Sequence, residues 1–230
     1  MYIIKNYIKI LKKIIRKVLI NIPYIERPLP KNPFTFNNEI TKEFFINLNN
    51  EALKIENKQL LEFENKNGFK LNKRWFKKLT LVTQTCIKKN NLNFNHGRIL
   101  YTCLSKYLLD LSTKSPITIF ETGTARGFSS VCMAKSLIDM KNNGTIITLD
   151  CIGHNQKMYW NCISDLDGKK TRAELLAPWN EELQHILFIQ GWTDITLKRL
   201  GIKRINFAFL DAQHTKDAVM EEFLFVSSRQ

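Results

Sequence analysis

The apolar run ITIFE at 117–121 leads into the loop Thr122-Gly-Thr-Ala-Arg-Gly127 and then into the helix-like segment FSSVCMAKSLIDM at 128–140. A short apolar strand feeding a glycine-containing turn into a helix constrains the fold more than any other feature of the chain. The pattern recurs downstream. Asn143-Gly144 marks a turn, TIITLD (145–150) reads as a second strand and HILFIQ (185–190) as a third. A short helix near 193–200 and a fourth strand, RINFAFLD (204–211), follow. Strands alternating with helices predict a parallel sheet with right-handed crossovers. The fold class is therefore α/β, a Rossmann-like parallel sheet over 114–230, preceded by an α-helical region.

That preceding region has three parts. Residues 38–113 read as helices, with breaks near Asn67-Gly68 and across Asn90–Asn95, and with Trp75, Phe76, Leu79, Leu81 and Val82 as core positions. Residues 23–37 form a linker in which Pro23, Pro28, Pro30 and Pro33 each disfavour helix in the residue before them. Residues 1–22 read as a basic amphipathic helix: Lys5, Lys9, Lys12 and Arg16 fall on one side, and Tyr7, Leu11, Ile14, Val18 and Ile22 on another. The lysines interrupt every apolar run, which excludes a membrane span. Two readings of this arm stand side by side: peripheral contact of residues 2–22 with an anionic membrane surface, and packing on the chain's own domain or on a second copy in a homo-oligomer.

The net charge is +14, and six of the excess cations lie in the arm: Lys5, Lys9, Lys12, Lys13, Arg16 and Lys17. Much of the remainder reads as a bias toward lysine. With no zinc-finger, RNP or helix-turn-helix signature, nucleic acid is not the expected partner. The five cysteines show no CxxC spacing and no secretory leader is evident, which points to reduced thiols and a cytoplasmic setting. Cys151, His154 and Cys162 lack a fourth ligand and the usual zinc spacing.

In open parallel sheets, ligands bind beyond the carboxyl ends of strands where the winding reverses. Three features fall at such ends: Glu121 with Gly123 after the first strand, Asp150 after the second and Asp211 after the fourth. Gly123 and Gly127 permit close backbone approach. The loop is not GxGxxG, so a dinucleotide-binding oxidoreductase is disfavoured. An acid at the tip of the second strand suits ribose hydroxyls, which donate hydrogen bonds to a carboxylate. Turn capping is the plainer role for Asp150, and helix capping is the plainer one for Asp211, which precedes a helix with His214 three residues on.

The segments ETGTARGFSSVCMAKSL, TIITLD and INFAFLDAQHTKDAVMEE resemble the first, second and fourth strand motifs of class I S-adenosylmethionine-dependent methyltransferases. FLDAQHTKDAV further resembles the Asp-Gly-x-His-x-Tyr-x-x-Val signature of the methyltransferase 24 family, over roughly 96–230. The resemblance implies an S-adenosyl-L-methionine site formed by Glu121, Thr122, Gly123, Thr124, Ala125, Gly127, Asp150, Trp192 and Asp211. Within it, the backbone from Gly123 to Gly127 would meet the methionine part, Glu121 would support the loop and Asp150 would hold ribose. It implies O-methylation of a sugar or small metabolite, with His214 and Asp211 as catalytic residues. It also admits a divalent cation such as Mg2+, with Asp211 as its ligand.

Two departures stand out. Trp192 takes the place of the acidic or polar residue usual after Gly191, where it would stack on adenine or simply pack. The chain also ends where a fifth strand is expected, which leaves INFAFL as an apolar edge and predicts a sheet that is incomplete at its C-terminus. The segment 151–185, rich in aromatics and with Lys169, Lys170 and Arg172 close together, is either a lid with an anion clamp or a scaffold. The competing functions are a non-catalytic module that binds a membrane or partner on half a methyltransferase sheet, and an RNA methyltransferase.

Overall fold

The computed structural model describes residues 40–88, 91–112 and 115–230. The basic arm at 1–22 and the proline-rich linker at 23–37 lie outside the described residues.

Four helices come first: α1 (Lys42–Lys54), α2 (Lys58–Asn67), α3 (Lys73–Thr83) and α4 (Asn95–Asp110). The first three start at Thr41, Asn57 and Asn72, whose side chains accept hydrogen bonds from the backbone N–H of Phe44, Leu60 and Trp75. Each cap satisfies a donor that the helix cannot. Phe76 and Leu79 are buried as expected, whereas Trp75, Leu81 and Val82 are only half-buried. Trp75 instead spans the layer boundary, its indole N–H donating to Glu182 at 3.0 Å.

The sheet follows: β1 (Thr118–Thr122), α5 (Phe128–Asp139), β2 (Thr145–Asp150), β3 (Ile186–Gln190), β4 (Phe207–Leu210) and α9 (Lys216–Ser227). Between β2 and β3 lie the short helices α6 (Arg172–Leu176) and α7 (Asn180–Leu183), and between β3 and β4 lies α8 (Thr193–Thr196). Strand order is β3-β2-β1-β4, and every pair is parallel. The chain thus steps outward from β1 through β2 to β3, then returns to the other flank of β1. That reversal places a crevice between the carboxyl ends of β1 and β4.

Alternation along β1 separates two cores. Ile119 packs with Leu104 of α4, Met133 and Leu137 of α5 and Ile146 of β2. Phe120 points to the opposite face, with Leu149, Leu197, Phe225 and Val226. A third cluster joins α3, α4 and α5 through Phe76, Leu79, Tyr101, Phe128 and Cys132, so the helical region and the sheet share one interior. The fourth strand is shorter than the sequence suggests. Its residues are half-buried at the sheet edge, while α9 turns Val219, Met220, Phe223 and Leu224 to solvent. Among the described residues no helix is long and apolar enough to cross a membrane, and all five cysteines are free thiols.

Gly97 lets α4 approach α5, because a Cβ there would stand 2.5 Å from the Phe128 ring and 2.8 Å from Cys132 Sγ. Gly97→Val should therefore cost about 1–3 kcal/mol by overpacking. Urea unfolding measures this, and a variant of wild-type stability would show that the two helices can separate freely.

Candidate functional site

Backbone hydrogen bonds carry the sheet to its rim. Gly123 N–H donates to Leu149 O, Gly191 N–H to Asp150 O and Asp211 N–H to Thr122 O, at 2.8–2.9 Å. The ends of all four strands are thereby held level. A Cβ on Gly123 would lie 2.2 Å from the Asp211 carbonyl oxygen, and the residue's φ of +88° is left-handed, so only glycine fits where β1 meets β4.

A cleft of about 390 Å3 opens above this meeting point, bounded by Gly123, Ala125, Asp150, Trp192 and Asp211 together with Cys151. Five of the sequence-predicted residues are thus brought together. Asp150 is 8% exposed, and its two oxygens accept from Ala125 N–H at 2.5 Å and Ile152 N–H at 2.7 Å. A carboxylate has about four lone-pair sites, so these two bonds do not exhaust its capacity to accept.

Glu121, Thr122, Thr124 and Gly127 lie behind the cleft wall rather than on it. Glu121 is fully buried. Its carboxylate accepts from the hydroxyls of Ser129 and Ser130, at the first turn of α5, and from Thr148 of β2 at 2.6 Å. Thr124 exchanges a hydrogen bond with the same Thr148 at 2.5 Å. Thr122 donates to Glu222 of α9 at 2.8 Å. Gly127, with φ +86°, ends the loop as the N-cap of α5.

On the opposite rim His214 Nε2 lies 2.9 Å from Asp211 Oδ1, and both side chains are open to solvent. The helix beyond them is capped by Thr215, which accepts from Ala218 N–H at 3.4 Å, so Asp211 is not the cap. His96, at the start of α4, packs edge-on against Phe128 and stacks near Phe209. Burial lowers its pKa, partly countered by the charge of Asp211. Nothing in the local sequence marks His96; only the α4–β4 packing brings it toward the rim. Among the described residues no group of three or more His, Cys, Asp or Glu is placed to hold a metal ion.

The anion clamp expected from Lys169, Lys170 and Arg172 does not form. Arg172 is 2% exposed and turned inward, donating to Ala125 O at 2.8 Å and Ile152 O at 3.2 Å. Lys170 pairs with Asp167 at 3.1 Å, and Lys169 lies over the Tyr159 ring. Segment 151–176 is a scaffold with its own core of Ile152, Met158, Trp160, Cys162 and Leu175. The Thr171-x-x-Glu174 capping box that starts α6 is the sequence signal for this packing.

An α/β rim of this form, with an acid ending β2 and a glycine turn ending β1, is the one expected of a class I methyltransferase domain. Residues 120–229, just under half of the chain, match the methyltransferase 24 family model, a methyltransferase domain. No curated protein matches the chain. Solved structures similar to it include an O-methyltransferase from Bacillus cereus in complex with SAH, 15% identical with a TM-score of 0.44, covering 78% of this chain and 64% of that one. An O-methyltransferase from Klebsiella pneumoniae is 17% identical with a TM-score of 0.43, over 78% and 64% of the two chains. TomG of Streptomyces achromogenes, an O-methyltransferase of tomaymycin synthesis in complex with SAM, is 16% identical with a TM-score of 0.46, over 76% and 67%. The chain thus spans about 64% of the length of the first two.

Burial raises the pKa of Glu121, with the Asp150 charge adding to it, and this outweighs the three hydroxyl donors that favour the anion. A carboxyl that binds its proton more tightly when folded stabilises the fold fully below the ordinary carboxylate range. That contribution is lost as pH rises through the raised value. As pH rises above the ordinary carboxylate range, wild type should lose more unfolding free energy than Glu121→Gln. Parallel stability curves from urea titrations would refute this.

Proposed function

We propose that the cleft binds S-adenosyl-L-methionine and that the chain carries an O-methyltransferase activity toward a small-molecule acceptor such as a sugar. The observation that carries this reading is the convergence of Asp150, Gly123, Ala125 and Asp211 on one cleft at the winding reversal. The site fits the cofactor: Asp150 keeps acceptor capacity for ribose hydroxyls, and Gly123 leaves the cleft free of a side chain where β1 meets β4, so that an amino-acid moiety can approach closely. Trp192, half-buried on the cleft wall, supplies a ring on which adenine can stack.

When bound, the cofactor supplies a sulfonium methyl group as electrophile. The chain's own task is orientation, since holding the acceptor oxygen in line with the methyl removes most of the entropic barrier. A hydroxyl must also lose its proton. His214 suits this: with Nε2–H donated to Asp211, Nδ1 is left as the acceptor, and the carboxylate stabilises the imidazolium that forms. A metal fits less well. Asp211 has His214 beside it and no third ligand among the described residues, so no step is routed through a cation.

S-adenosylhomocysteine should raise the melting temperature of the wild-type chain, by the equivalent of about 2.7 kcal/mol at a hundredfold excess over Kd. Asp150→Ala should weaken binding roughly tenfold or more, which is about 1.4 kcal/mol or greater. A wild-type melt indifferent to the ligand would overturn the cofactor assignment. His214→Ala should keep that binding while losing methyl transfer; unchanged transfer would remove His214 as the base.

A further inference from the structure

We infer that segment 151–176 is a brace for the cofactor loop and that Arg172 is its positioning residue, an assignment that rests on the cleft's being the S-adenosylmethionine site. The contacts are reciprocal. From the brace, Arg172 Nε donates to Ala125 O at 2.8 Å, and its Nη2 donates to Ile152 O and stands 3.8 Å from Asp150 Oδ2. From the loop, Arg126 Nε donates to Trp160 O at 2.5 Å. Leu176 closes on Gly127, where a Cβ would lie 2.7 Å from its methyl carbon.

The loop needs such support, because Ala125 adopts φ +46°, a left-handed backbone that a residue with a Cβ rarely takes. Arg172 itself is fixed on every side. Its N–H donates to His154 O at 3.0 Å, and the rings of Trp160 and Phe188 lie within 6 Å of its guanidinium, at 5.6 and 5.7 Å. Burying a guanidinium is costly, and a whole buried ion pair can often be replaced by apolar side chains without loss of stability, whereas removing one partner alone strands the groups it held. The groups Arg172 holds nevertheless include two that bound the cleft, Ala125 and Asp150. Its placement favours the shape of the site over the stability of the fold.

Arg172→Met should therefore lose affinity at a temperature where it is still folded. The test is calorimetric titration of S-adenosylhomocysteine into the full chain, well below the melting temperature, beside thermal melts. Wild type binds, and Arg172→Met melts cooperatively, at a lower temperature than wild type but above that of the titration, with affinity at least about tenfold weaker. Equal affinity in the two proteins would overturn the brace while leaving the cofactor reading intact. Absence of binding by wild type would remove that reading and the inference with it. Should Arg172→Met fail to melt cooperatively, Arg126→Gln decides from the loop side. A similar loss of affinity there supports the brace, and wild-type affinity overturns it.

Discussion

Glu121 has no contact with water, and the rim of the sheet is organised around it. One oxygen takes Ser129, the other Ser130 and Thr148, so a single carboxyl ties the end of β1 to the first turn of α5 and to the middle of β2. Removing such a group would strand the buried hydroxyls of Ser129 and Ser130 and leave Thr148 only its bond with Thr124, and each orphan costs roughly 1–3 kcal/mol. The turn between Glu121 and Ser129 is thus pinned at both ends. What lies between, Thr122 to Phe128, can neither drift along the strand nor unwind the helix, and Thr124 adds a further tie through Thr148. The anchor lies one layer behind the cleft, which leaves backbone rather than side chains facing a ligand.

A pinned turn still has internal freedom, and Asp150 limits it. Its Oδ2 accepts the N–H of Ala125, while its Oδ1 accepts that of Ile152. One carboxylate therefore sets the spacing between the β1 and β2 loops and keeps capacity to accept at the cleft it bounds. Binding then requires little rearrangement. A site already ordered spends less of its interaction energy on ordering loops and rotamers when the ligand arrives. The helical layer serves the same end at a distance. The buried Glu64 grips Arg98 through two hydrogen bonds, at 2.5 and 2.7 Å, joining α2 to the α4 that packs along α5.

The parallel sheet and the rim were legible in the sequence because both rest on local signals. Apolar runs mark the strands, and Glu121, Asp150 and Asp211 stand at strand ends where periodicity alone places them. The walls of the site were not legible. Thr122, Thr124 and Glu121 look like cofactor contacts in a linear motif, yet strand alternation and the α5 start turn them into the interior. Arg172 looks like a solvated cation beside Lys169 and Lys170, since a charge cluster is normally a surface feature. Its inward course depends on Trp160, Phe188 and Ala125, which are remote in sequence. His96 has the same origin: its place near Asp211 follows from how α4 packs on β4, a relation with no local signature. Strand β4 was read too long because RIN continues the apolar-polar texture, whereas Asn206 spends its side chain on Thr118 N–H at 3.0 Å and closes the strand's start.

The segment between β2 and β3 then takes on a different meaning from the lid that its aromatics suggest. A lid must exchange between open and closed positions, so its contacts with the body should be few and exposed. This segment has the reverse character. Met158, Trp160 and Cys162 are fully buried, and the Trp160 indole N–H donates to Lys170 O at 2.8 Å. Asp165 accepts the N–H groups of Trp160 and Cys162, knitting the turn to itself. Its ties to the body end on Ala125 and Arg126 in the loop between β1 and α5 and on Ile87 beyond α3. Moving the segment as a unit would break those hydrogen bonds together and expose two guanidinium groups to new surroundings. The opposite rim is of the other kind: Asp211, Ala212, Gln213 and His214 are all exposed to solvent.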